Sequence, residues 1–438
     1  MIITNLVINQ LYGKYNYSVS FNKDVTFLYG LNGCGKTTVL NIIAAIVSGN
    51  VQNLLRYTFN YIELHYEDSK GNNDRTIFIQ KKSEGMHVDI GNQIFHLVDS
   101  QLNTPIGIDD MENRDDEAYL LSNSLKSIFN YVYLPLSRTV YENSDMAYEN
   151  RVGRDFYFDN GHIKKMESAY SKAMKNAEEL IRNNYRESVA HIARINDDFR
   201  NDILKSLLET DTRTEMEDIF QKLFESEETI KDIHNTKVKY LELLDSLNIK
   251  SDDKDYGKFF DDFAEVIEEH KNESTIPSYI AFMYQEFARA KTLIPLTEKM
   301  EERKKNSKKS IDLFTNIMND FISYAEKKEI RITESGKVLL SYGDAGTSIS
   351  VEKMSSGEKQ LLVFFSHLIF GVKERKETAI FIMDEPELSL HLSWQKKFVE
   401  AALKANENVQ LVFATHSPEI IGRYRDKMVK LEKNIVGE

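Results

Sequence analysis

Several features that would settle the class of a protein are scarce in this sequence of 438 residues. One cysteine excludes an intramolecular disulfide, which is typical of a reducing compartment. Only 6 prolines argue against long extended linkers. No apolar stretch is long enough to span a bilayer, and Met1–Leu6 lacks the basic segment and cleavage site of a signal peptide. These absences predict a cytoplasmic protein without a membrane partner.

The composition indicates a folded protein with excess negative charge. Hydrophobic residues make up 41% of the chain, which predicts packed cores rather than disorder, and the length suffices for two or three domains. A net charge of -13 disfavours nonspecific nucleic-acid binding, although a local basic patch could still provide it. The basic cluster Arg303–Lys305 with Lys308 and Lys309 follows Glu301 and Glu302, which is more typical of a solvated helix face.

A glycine-rich segment, Gly30–Thr37, matches the phosphate-loop pattern G-x-x-x-x-G-K-[ST]. A strand pattern, Val25–Tyr29, precedes it and an apolar helix pattern, Val39–Val47, follows, which is the context that this loop requires. Lys36 would neutralise phosphate oxygens, while Thr37 would coordinate Mg²⁺. Backbone N–H groups and the helix N-terminus would surround the phosphates. The expected nucleotide contacts of this loop are Asn32, Gly33, Cys34, Gly35, Lys36, Thr37 and Thr38.

An acidic pair follows a second buried strand pattern far along the chain. The five apolar residues Ala379–Met383 are typical of a strand in a parallel sheet, and such strands deliver side chains at their carboxyl ends. Asp384 would hold Mg²⁺ through a water molecule, as in phosphate-loop enzymes. Glu385 would orient or deprotonate the attacking water. A simple turn would also explain an Asp-Glu pair, but the apolar run before it favours a site.

Two further elements surround this acidic pair in the sequence. Ser355, Ser356 and Gly357 stand at the start of an apolar helix pattern, where a serine can cap the helix and the helix end attracts anions. Gln410–Ala414 is another strand pattern, and His416 follows it closely. That histidine could donate to a γ-phosphate oxygen. By itself each element is more typical of ordinary structure than of a site, so both interpretations depend on the phosphate loop and the acidic pair.

Taken in order, these elements resemble the motifs of the ABC-type ATPase superfamily. The resemblance makes Gly30–Thr37 the Walker A loop, Met354–Glu358 the signature motif, Ile380–Glu385 Walker B with the catalytic glutamate, Leu388–His391 the D-loop and His416 the switch histidine. The order and spacing of the last three are highly specific.

A long insertion between Walker A and the signature makes the chain similar to the SMC, RecF and OLD group rather than to transporters. The phrases Glu385–His391 and Ala414–Pro418 are typical of the OLD-like branch, which includes standalone ATPase subunits of bacterial anti-phage systems such as PARIS and Septu. Tyr133–Arg138 resembles a Tyr-x-Pro-x-x-Arg pattern of that branch, which makes Arg138 a candidate sensor of the γ-phosphate or Mg²⁺. Ser356 stands where transporters carry glycine, and the usual Q-loop glutamine is not evident.

The resemblance and the strand patterns together predict an α/β fold. We expect an ABC-type ATPase head, a mixed sheet with the phosphate loop plus an antiparallel β layer, interrupted by a helical or coiled-coil insertion. Residues 1–160 would form the N-terminal part of the head, 161–328 the helical insertion, and 329–438 the C-terminal part with the signature, Walker B and switch histidine. Short β patterns between Tyr61 and Leu97 predict the antiparallel layer.

In this superfamily two heads bind ATP and Mg²⁺ between them, so the resemblance implies a homo-oligomer. Ser355 and Gly357 would then contact the nucleotide held by the other subunit. The chain ends soon after His416, which leaves no room for the Toprim nuclease domain of OLD proteins. A separate nuclease or toxin is therefore expected as effector, with a phage-encoded trigger. The predicted function is an ATP-hydrolysing sensor or scaffold subunit of a two-component antiviral system.

Two alternatives remain open at this point. A DNA-repair or chromosome-structure ATPase of the RecF or SMC type would bind DNA, and it would need DNA-stimulated hydrolysis and a basic track. An interaction protein with an inactive site is disfavoured because Lys36, Asp384 and Glu385 are all present.

Overall fold

The chain forms two units, each with its own core. The first comprises Met1–Tyr185 and Ser310–Glu438, and the second comprises Arg186–Lys309. The predicted boundaries of the insertion, at residues 161 and 328, stay predictions. The computed structural model describes residues 1–68, 74–83, 85–91, 93–98, 117–134, 156–159, 162–165, 169–208, 229–246, 253–270, 277–323, 328–342, 347–372 and 378–435.

Within the first unit, the described residues form a seven-stranded antiparallel sheet. Its strands alternate between buried and more exposed residues, which is the pattern of a sheet with one packed face. In spatial order the strands are β17 (Asn434–Ile435), β2 (Tyr15–Ser20), β1 (Ile2–Leu11), β4 (Tyr61–Glu67), β5 (Arg75–Lys82), β6 (Gly85–Asp89) and β7 (Ile94–Val98). The β patterns between Tyr61 and Leu97 thus form the predicted antiparallel layer.

A second sheet of five described strands runs parallel throughout and carries the motifs at its carboxyl edge. In spatial order the strands are β16 (Met428–Lys430), β3 (Val25–Tyr29), β15 (Val409–Ala414), β14 (Ala379–Asp384) and β8 (Asn130–Leu134). Every residue of β14 and β15 is buried, as expected for parallel strands covered on both faces. Asp384 pairs with Ala414, and Ala414 pairs with Leu28, so the three strands end together.

Helices cover both faces of this parallel sheet. In chain order the described helices are α1 (Lys36–Val47), α2 (Glu117–Ile128), α3 (Ala169–Leu208), α4 (Thr229–Ser246), α5 (Asp253–Glu269), α6 (Ser278–Ile322), α7 (Ser356–Phe370), α8 (Leu392–Ala405) and α9 (Pro418–Ile421). On one face, α1 packs with Ile380 and Ile382 in the core shared with the antiparallel layer. On the other, α7 and α8 pack against Phe381 and Phe413. None of the described helices combines the length and apolar character needed to cross a membrane.

A buried glutamine joins the two sheets. The Gln410 side chain is fully buried, and its Nε2 donates to the carbonyl oxygens of Ile3 at 2.7 Å and Asn22 at 2.8 Å. The Ile3 N–H donates back to Gln410 Oε1 at 2.8 Å. Because buried backbone groups need partners, one side chain of β15 fixes where β1 crosses the parallel sheet.

The second unit is helical where it is described. It contains α4, α5 and parts of α3 and α6. Phe260, Phe263 and Ile267 have helical spacing in α5 and are buried together in one core. The similar pattern at 219–224 lies outside the described residues.

Three further strands of the first unit pair as an antiparallel sheet ahead of α7. They are β11 (Lys328–Ile332), β12 (Val338–Tyr342) and β13 (Thr347–Ser350). A hairpin of β9 (Phe156–Asp159) and β10 (His162–Lys165) was not predicted. The fold class is confirmed: an α/β ATPase head with a phosphate loop, an antiparallel β layer and a helical insertion.

The β-type alternation between Tyr17 and Phe27 belongs to two strands rather than one. Tyr17–Phe27 is divided between β2 and β3, which belong to different sheets. Its polar middle turns the chain, since the Asn22 N–H donates to Thr26 Oγ1 at 2.8 Å. Alternation within each half does not reveal this change of sheet.

Candidate active site

The phosphate loop lies between β3 and α1 at the carboxyl edge of the parallel sheet. Gly33 and Gly35 have φ angles of 77° and 102°, in the left-handed region that favours glycine. A Cβ on Gly35 would also lie 2.7 Å from the hydroxyl oxygen of Tyr17. Lys36 is buried, and its Nζ donates to the Gly30 carbonyl at 3.2 Å. The loop is therefore curled, with the lysine ammonium held against its first residue.

Tyr17 of β2 supports this loop, although nothing in the strand pattern singled it out. Its hydroxyl donates to the Cys34 carbonyl at 3.0 Å. Burial, followed by the neighbouring Cys34, raises the pKa of Tyr17 to about 12, so the hydroxyl keeps the proton it donates. Cys34 and Gly35 are half-buried, whereas Asn32 is exposed and Thr38 lies partly exposed in the first turn of α1.

The two predicted metal ligands are in contact. Thr37 is exposed at the start of α1, and its hydroxyl donates to Asp384 Oδ2 at 2.8 Å. Oxygens on adjacent corners of an octahedral Mg²⁺ site, each about 2.0–2.1 Å from the ion, lie about 2.9 Å apart. The spacing and the oxygen chemistry of this pair therefore fit Mg²⁺. Strand order explains the contact, since β15 alone separates β3 from β14 and all three end together.

Electrostatics at Asp384 favour an added positive charge. The residue is 3% exposed, and burial, with smaller contributions from Glu385 and Glu387, raises the pKa of its carboxyl group. The hydrogen bond from Thr37 and the charge of Lys36 act in the opposite direction without cancelling the effect. A cation bound here would relieve the cost of burying the ionised carboxylate.

Glu385 occupies an unusual backbone conformation. Its φ is 47°, which is uncommon for a residue other than glycine and is often found at functional sites. The Glu385 N–H donates to the Ala414 carbonyl at 2.8 Å, and the Glu385 carbonyl accepts from the Leu388 N–H at 3.1 Å. The chain thus turns sharply at the edge of the sheet and leaves the Glu385 side chain partly exposed next to Asp384.

Glu387, which we did not predict, connects this turn to the end of β15. Its Oε2 accepts from the Thr415 hydroxyl, and its Oε1 accepts from the His416 N–H, each at 2.8 Å. The His416 side chain is exposed. The sequence signal was available in the acidic residue directly after Pro386, but its partners become evident only when β14 and β15 are adjacent.

The signature motif begins α7. Ser355 is the N-cap: its Oγ accepts from the Glu358 N–H at 3.3 Å, while Glu358 Oε2 accepts from the Ser355 N–H at 2.7 Å. This confirms the predicted helix cap. Gly357 is buried, and a Cβ on it would lie 2.4 Å from the Ser389 carbonyl oxygen. The nearby Gln360 Nε2 donates to the Pro386 carbonyl at 3.1 Å.

The structure thus brings Lys36, Thr37 and Asp384 to one edge of the sheet, with Glu385 and His416 at the ends of the adjacent strands. Gly357 lies against the D-loop of its own chain. Arg138 lies outside the described residues. The catalytic and nucleotide-binding roles of these residues stay predictions.

Comparison with solved structures gives low similarity along the whole chain. An Smc head domain with an extended coiled coil from Pyrococcus furiosus, solved with the C-terminal domain of ScpA, is 12% identical with a TM-score of 0.43; the match covers 99% of this chain and 95% of that one. The recombination mediator protein RecF is 12% identical with a TM-score of 0.37, over 99% and 98% of the two chains. These scores are low, so the fold assignment rests on strand order and motif placement.

Two relatives are named as ATPases of retrons. "Retron Ec83 probable ATPase" of Escherichia coli is 30% identical over 95 residues, covering 20% of this chain and 18% of the relative. "Retron Vc95 probable ATPase" of Vibrio cholerae serotype O1 biovar El Tor is 21% identical over 227 residues, covering 47% and 44%. The chain thus spans less than half the length of either relative.

The family described as AAA ATPase domain matches residues 1–421. The chain therefore belongs to the AAA ATPase domain family, the ATP-hydrolysing class that its phosphate loop and Asp384 predict.

Proposed function

We propose that this domain binds Mg²⁺-ATP at the phosphate loop and hydrolyses it with Glu385 and His416. The observation that carries the proposal is the 2.8 Å hydrogen bond between Thr37 and Asp384, which lie 347 residues apart in the chain. A phosphate loop paired with a buried carboxylate of a neighbouring strand is the arrangement that nucleotide hydrolysis requires.

Each residue has a distinct task in this proposal. Lys36 exchanges the Gly30 carbonyl for β- and γ-phosphate oxygens, which its ammonium neutralises. Thr37 and Asp384 hold Mg²⁺, which neutralises charge on the phosphates when bound. Glu385 orients the attacking water and accepts its proton. His416 donates to a γ-phosphate oxygen from the end of β15.

A second head completes the site in this proposal. Ser355 is exposed at the N-terminus of α7, where the helix dipole favours anions. Its oxygen accepts from Glu358, while its hydroxyl proton remains available for a phosphate oxygen of the other subunit. ATP bound by one head would then join two copies of the chain, and hydrolysis would release them.

Mixing two inactive variants tests this arrangement. We expect Lys36→Ala and Ser355→Ala each to lose hydrolysis, because each damages both sites of a symmetric dimer. A mixed dimer has one intact site, so an equal mixture should recover about a quarter of the wild-type sites. A mixture as inactive as its components would argue that Ser355 serves its own head.

Glu385→Gln supplies the second test. The amide keeps the size of the side chain but cannot accept a proton, so ATP should bind without turnover and dimers should accumulate. Light scattering coupled to size-exclusion chromatography, with bound nucleotide measured in the same fractions, reports both effects. A variant that hydrolyses ATP at the wild-type rate would contradict the role of Glu385.

We further propose that the ATPase is the sensor or scaffold of a two-component antiviral system in the cytoplasm. A separate nuclease or toxin would be its effector, and a phage-encoded protein would be its trigger. Support comes from the two relatives named as retron ATPases and from the OLD-like phrases Glu385–His391 and Ala414–Pro418. Co-expression with the neighbouring gene product should yield a stable complex that contains both proteins.

A monodisperse ATPase that never binds the neighbouring gene product would contradict the two-component proposal. Hydrolysis that rises severalfold with added DNA would instead favour the repair or chromosome-structure alternative. We expect no such stimulation, because the net charge of the chain is -13 and DNA is also negatively charged.

A further inference from the structure

Glu387 lies in the segment between β14 and α8, two residues after the proposed catalytic Glu385. Both of its carboxylate oxygens are engaged, one by the Thr415 hydroxyl and the other by the His416 N–H, at 2.8 Å each. These donors belong to consecutive residues immediately after β15. The carboxylate therefore bridges the two strand ends that deliver Glu385 and His416.

A second set of hydrogen bonds surrounds this bridge. Gln395 Nε2 donates to the Leu390 carbonyl at 2.9 Å, and Gln395 Oε1 accepts from the Ser417 hydroxyl at 2.7 Å. The Ser417 N–H donates to Thr415 Oγ1 at 3.0 Å. Thr415 is therefore both a donor to Glu387 and an acceptor from Ser417. The segment from Glu387 to Leu390 and the segment after β15 are thus joined at two points, through Glu387 and through Gln395.

These contacts indicate that Glu387 and Glu385 have different chemical roles. Charge-assisted hydrogen bonds to a carboxylate are stronger than neutral ones, and two donors on separate oxygens fix its orientation. A carboxylate held in this way is poorly placed to accept a proton from water. Glu385 has the strained backbone and partial exposure expected of the base.

We infer that Glu387 is a positioning residue that fixes the His416 backbone, and so its side chain, beside the Walker B end of β14. The inference rests on the proposed role of His416 at the γ-phosphate. Without the carboxylate, the His416 N–H loses its partner and the short segment before α9 can move. Displacement of a catalytic group by about 1 Å can cost about a hundredfold in rate.

The same segment also contacts the signature helix. Gln360 of α7 donates to the Pro386 carbonyl, one residue before Glu387. Movement of α7 on engaging nucleotide would therefore be transmitted through Pro386 and Glu387 to His416. Loss of Glu387 should weaken the link between head pairing and hydrolysis, in addition to slowing hydrolysis.

Comparing the rates of ATP hydrolysis by the Glu387→Ala and Glu387→Gln variants tests the inference. We expect the alanine variant to lose at least about tenfold in kcat while its affinity for ATP stays within about twofold of wild type. The glutamine amide can accept from the His416 N–H and donate to Thr415 Oγ1, so its kcat should stay within about threefold. Glu407→Ala, an exposed glutamate before the other end of β15, is the matched control.

A double-mutant cycle distinguishes positioning from general destabilisation. If Glu387 acts through His416, then adding Glu387→Ala to His416→Ala should reduce kcat by less than about twofold further. Thr415→Val, which removes one donor and leaves the carboxylate, should give an intermediate loss and provides the same test if Glu387→Ala unfolds. Multiplicative losses in the double mutant, or unchanged kcat in both Glu387→Ala and Thr415→Val, would overturn the inference. A wild-type chain that binds ATP without hydrolysing it would overturn the proposed function instead.

Discussion

Replacing Gly357 by alanine is expected to push the signature helix away from the D-loop. Gly357 lies in the first turn of α7, and a Cβ on it would be 2.4 Å from the Ser389 carbonyl oxygen and 3.1 Å from Cζ3 of Trp394. Ordinary van der Waals contact begins near 3.4 Å, so the carbonyl would have to retreat by about 1 Å. Ser389 already has a φ of 68°, which leaves its backbone few alternatives.

Overpacking of this kind costs about 1–3 kcal/mol. At about 2–4 °C per kcal/mol for a domain of 150–250 residues, the unfolding temperature should fall by several degrees. The loss of activity should be larger, because Ser389 belongs to the segment that contains Glu385 and Glu387. We expect kcat to fall at least about tenfold. ATP binding to one head should change little, since Gly357 does not belong to the phosphate loop.

Thermal unfolding, steady-state hydrolysis and equilibrium ATP binding of Gly357→Ala, measured together, check this prediction. Ser356→Ala is the matched control, because it makes an exposed residue of the same turn smaller and introduces no clash. A Gly357→Ala variant with the wild-type unfolding temperature and kcat would refute the reasoning. Wild-type stability with lost activity only would indicate that Gly357 is needed at the nucleotide of the other head rather than against its own D-loop.

Three further predictions concern single side chains. The raised pKa of Asp384 means that its contribution to stability is present below the unfolded-state pKa and is lost as pH rises through the folded-state value. Asp384→Asn should therefore raise the unfolding temperature of the nucleotide-free protein at neutral pH, by calorimetry, and abolish stabilisation by Mg²⁺-ATP. Gln410→Leu should lower the free energy of unfolding by at least about 2 kcal/mol in urea titrations, because the N–H and the carbonyl of Ile3 both lose their buried hydrogen bonds to Gln410. Tyr17→Phe removes the donor to the Cys34 carbonyl and should weaken ATP binding by about 0.5–1.5 kcal/mol in calorimetric titrations, while Asp384-dependent Mg²⁺ effects persist.

The elements that carry local signals were predictable from the sequence. The phosphate loop needs glycine at Gly33 and Gly35 because of their positive φ angles, and a lysine at the helix start, so its spacing alone indicates its shape. The capping box of Ser355 and Glu358 is likewise a short-range pattern, three residues apart. Continuous apolar runs identified β14 and β15 because parallel strands are buried on both faces.

Contacts that depend on strand order were not predictable in this way. Glu387 reads as one more acidic residue near a turn, and its role becomes evident only when β15 lies beside β14. In the sequence, Tyr17 is typical of a core aromatic residue of β2, and only its contact with the phosphate loop shows its second role. Gln410 lies in an apolar run where its amide breaks the pattern, and only the crossing of β1 explains it. In each case the partner lies in another secondary-structure element, so the contact cannot be predicted from local periodicity.

Three carboxylates within four residues, Asp384, Glu385 and Glu387, show how one short segment can support different chemistry. Burial and the two neighbouring charges raise the pKa of Asp384, so this cluster is costly for the nucleotide-free protein. Part of that cost is offset by the Thr415 and His416 donors, which stabilise the Glu387 carboxylate and leave Asp384 and Glu385 for a cation and a water. Binding of Mg²⁺-ATP relieves this repulsion, and because that relief is part of the binding affinity, it stabilises the fold through the dissociation constant. Asp384→Asn should therefore bind Mg²⁺-ATP more weakly than wild type in calorimetric titrations, while its binding of ATP without Mg²⁺ is not weakened, and unchanged binding of Mg²⁺-ATP would show that the cluster does not hold the cation.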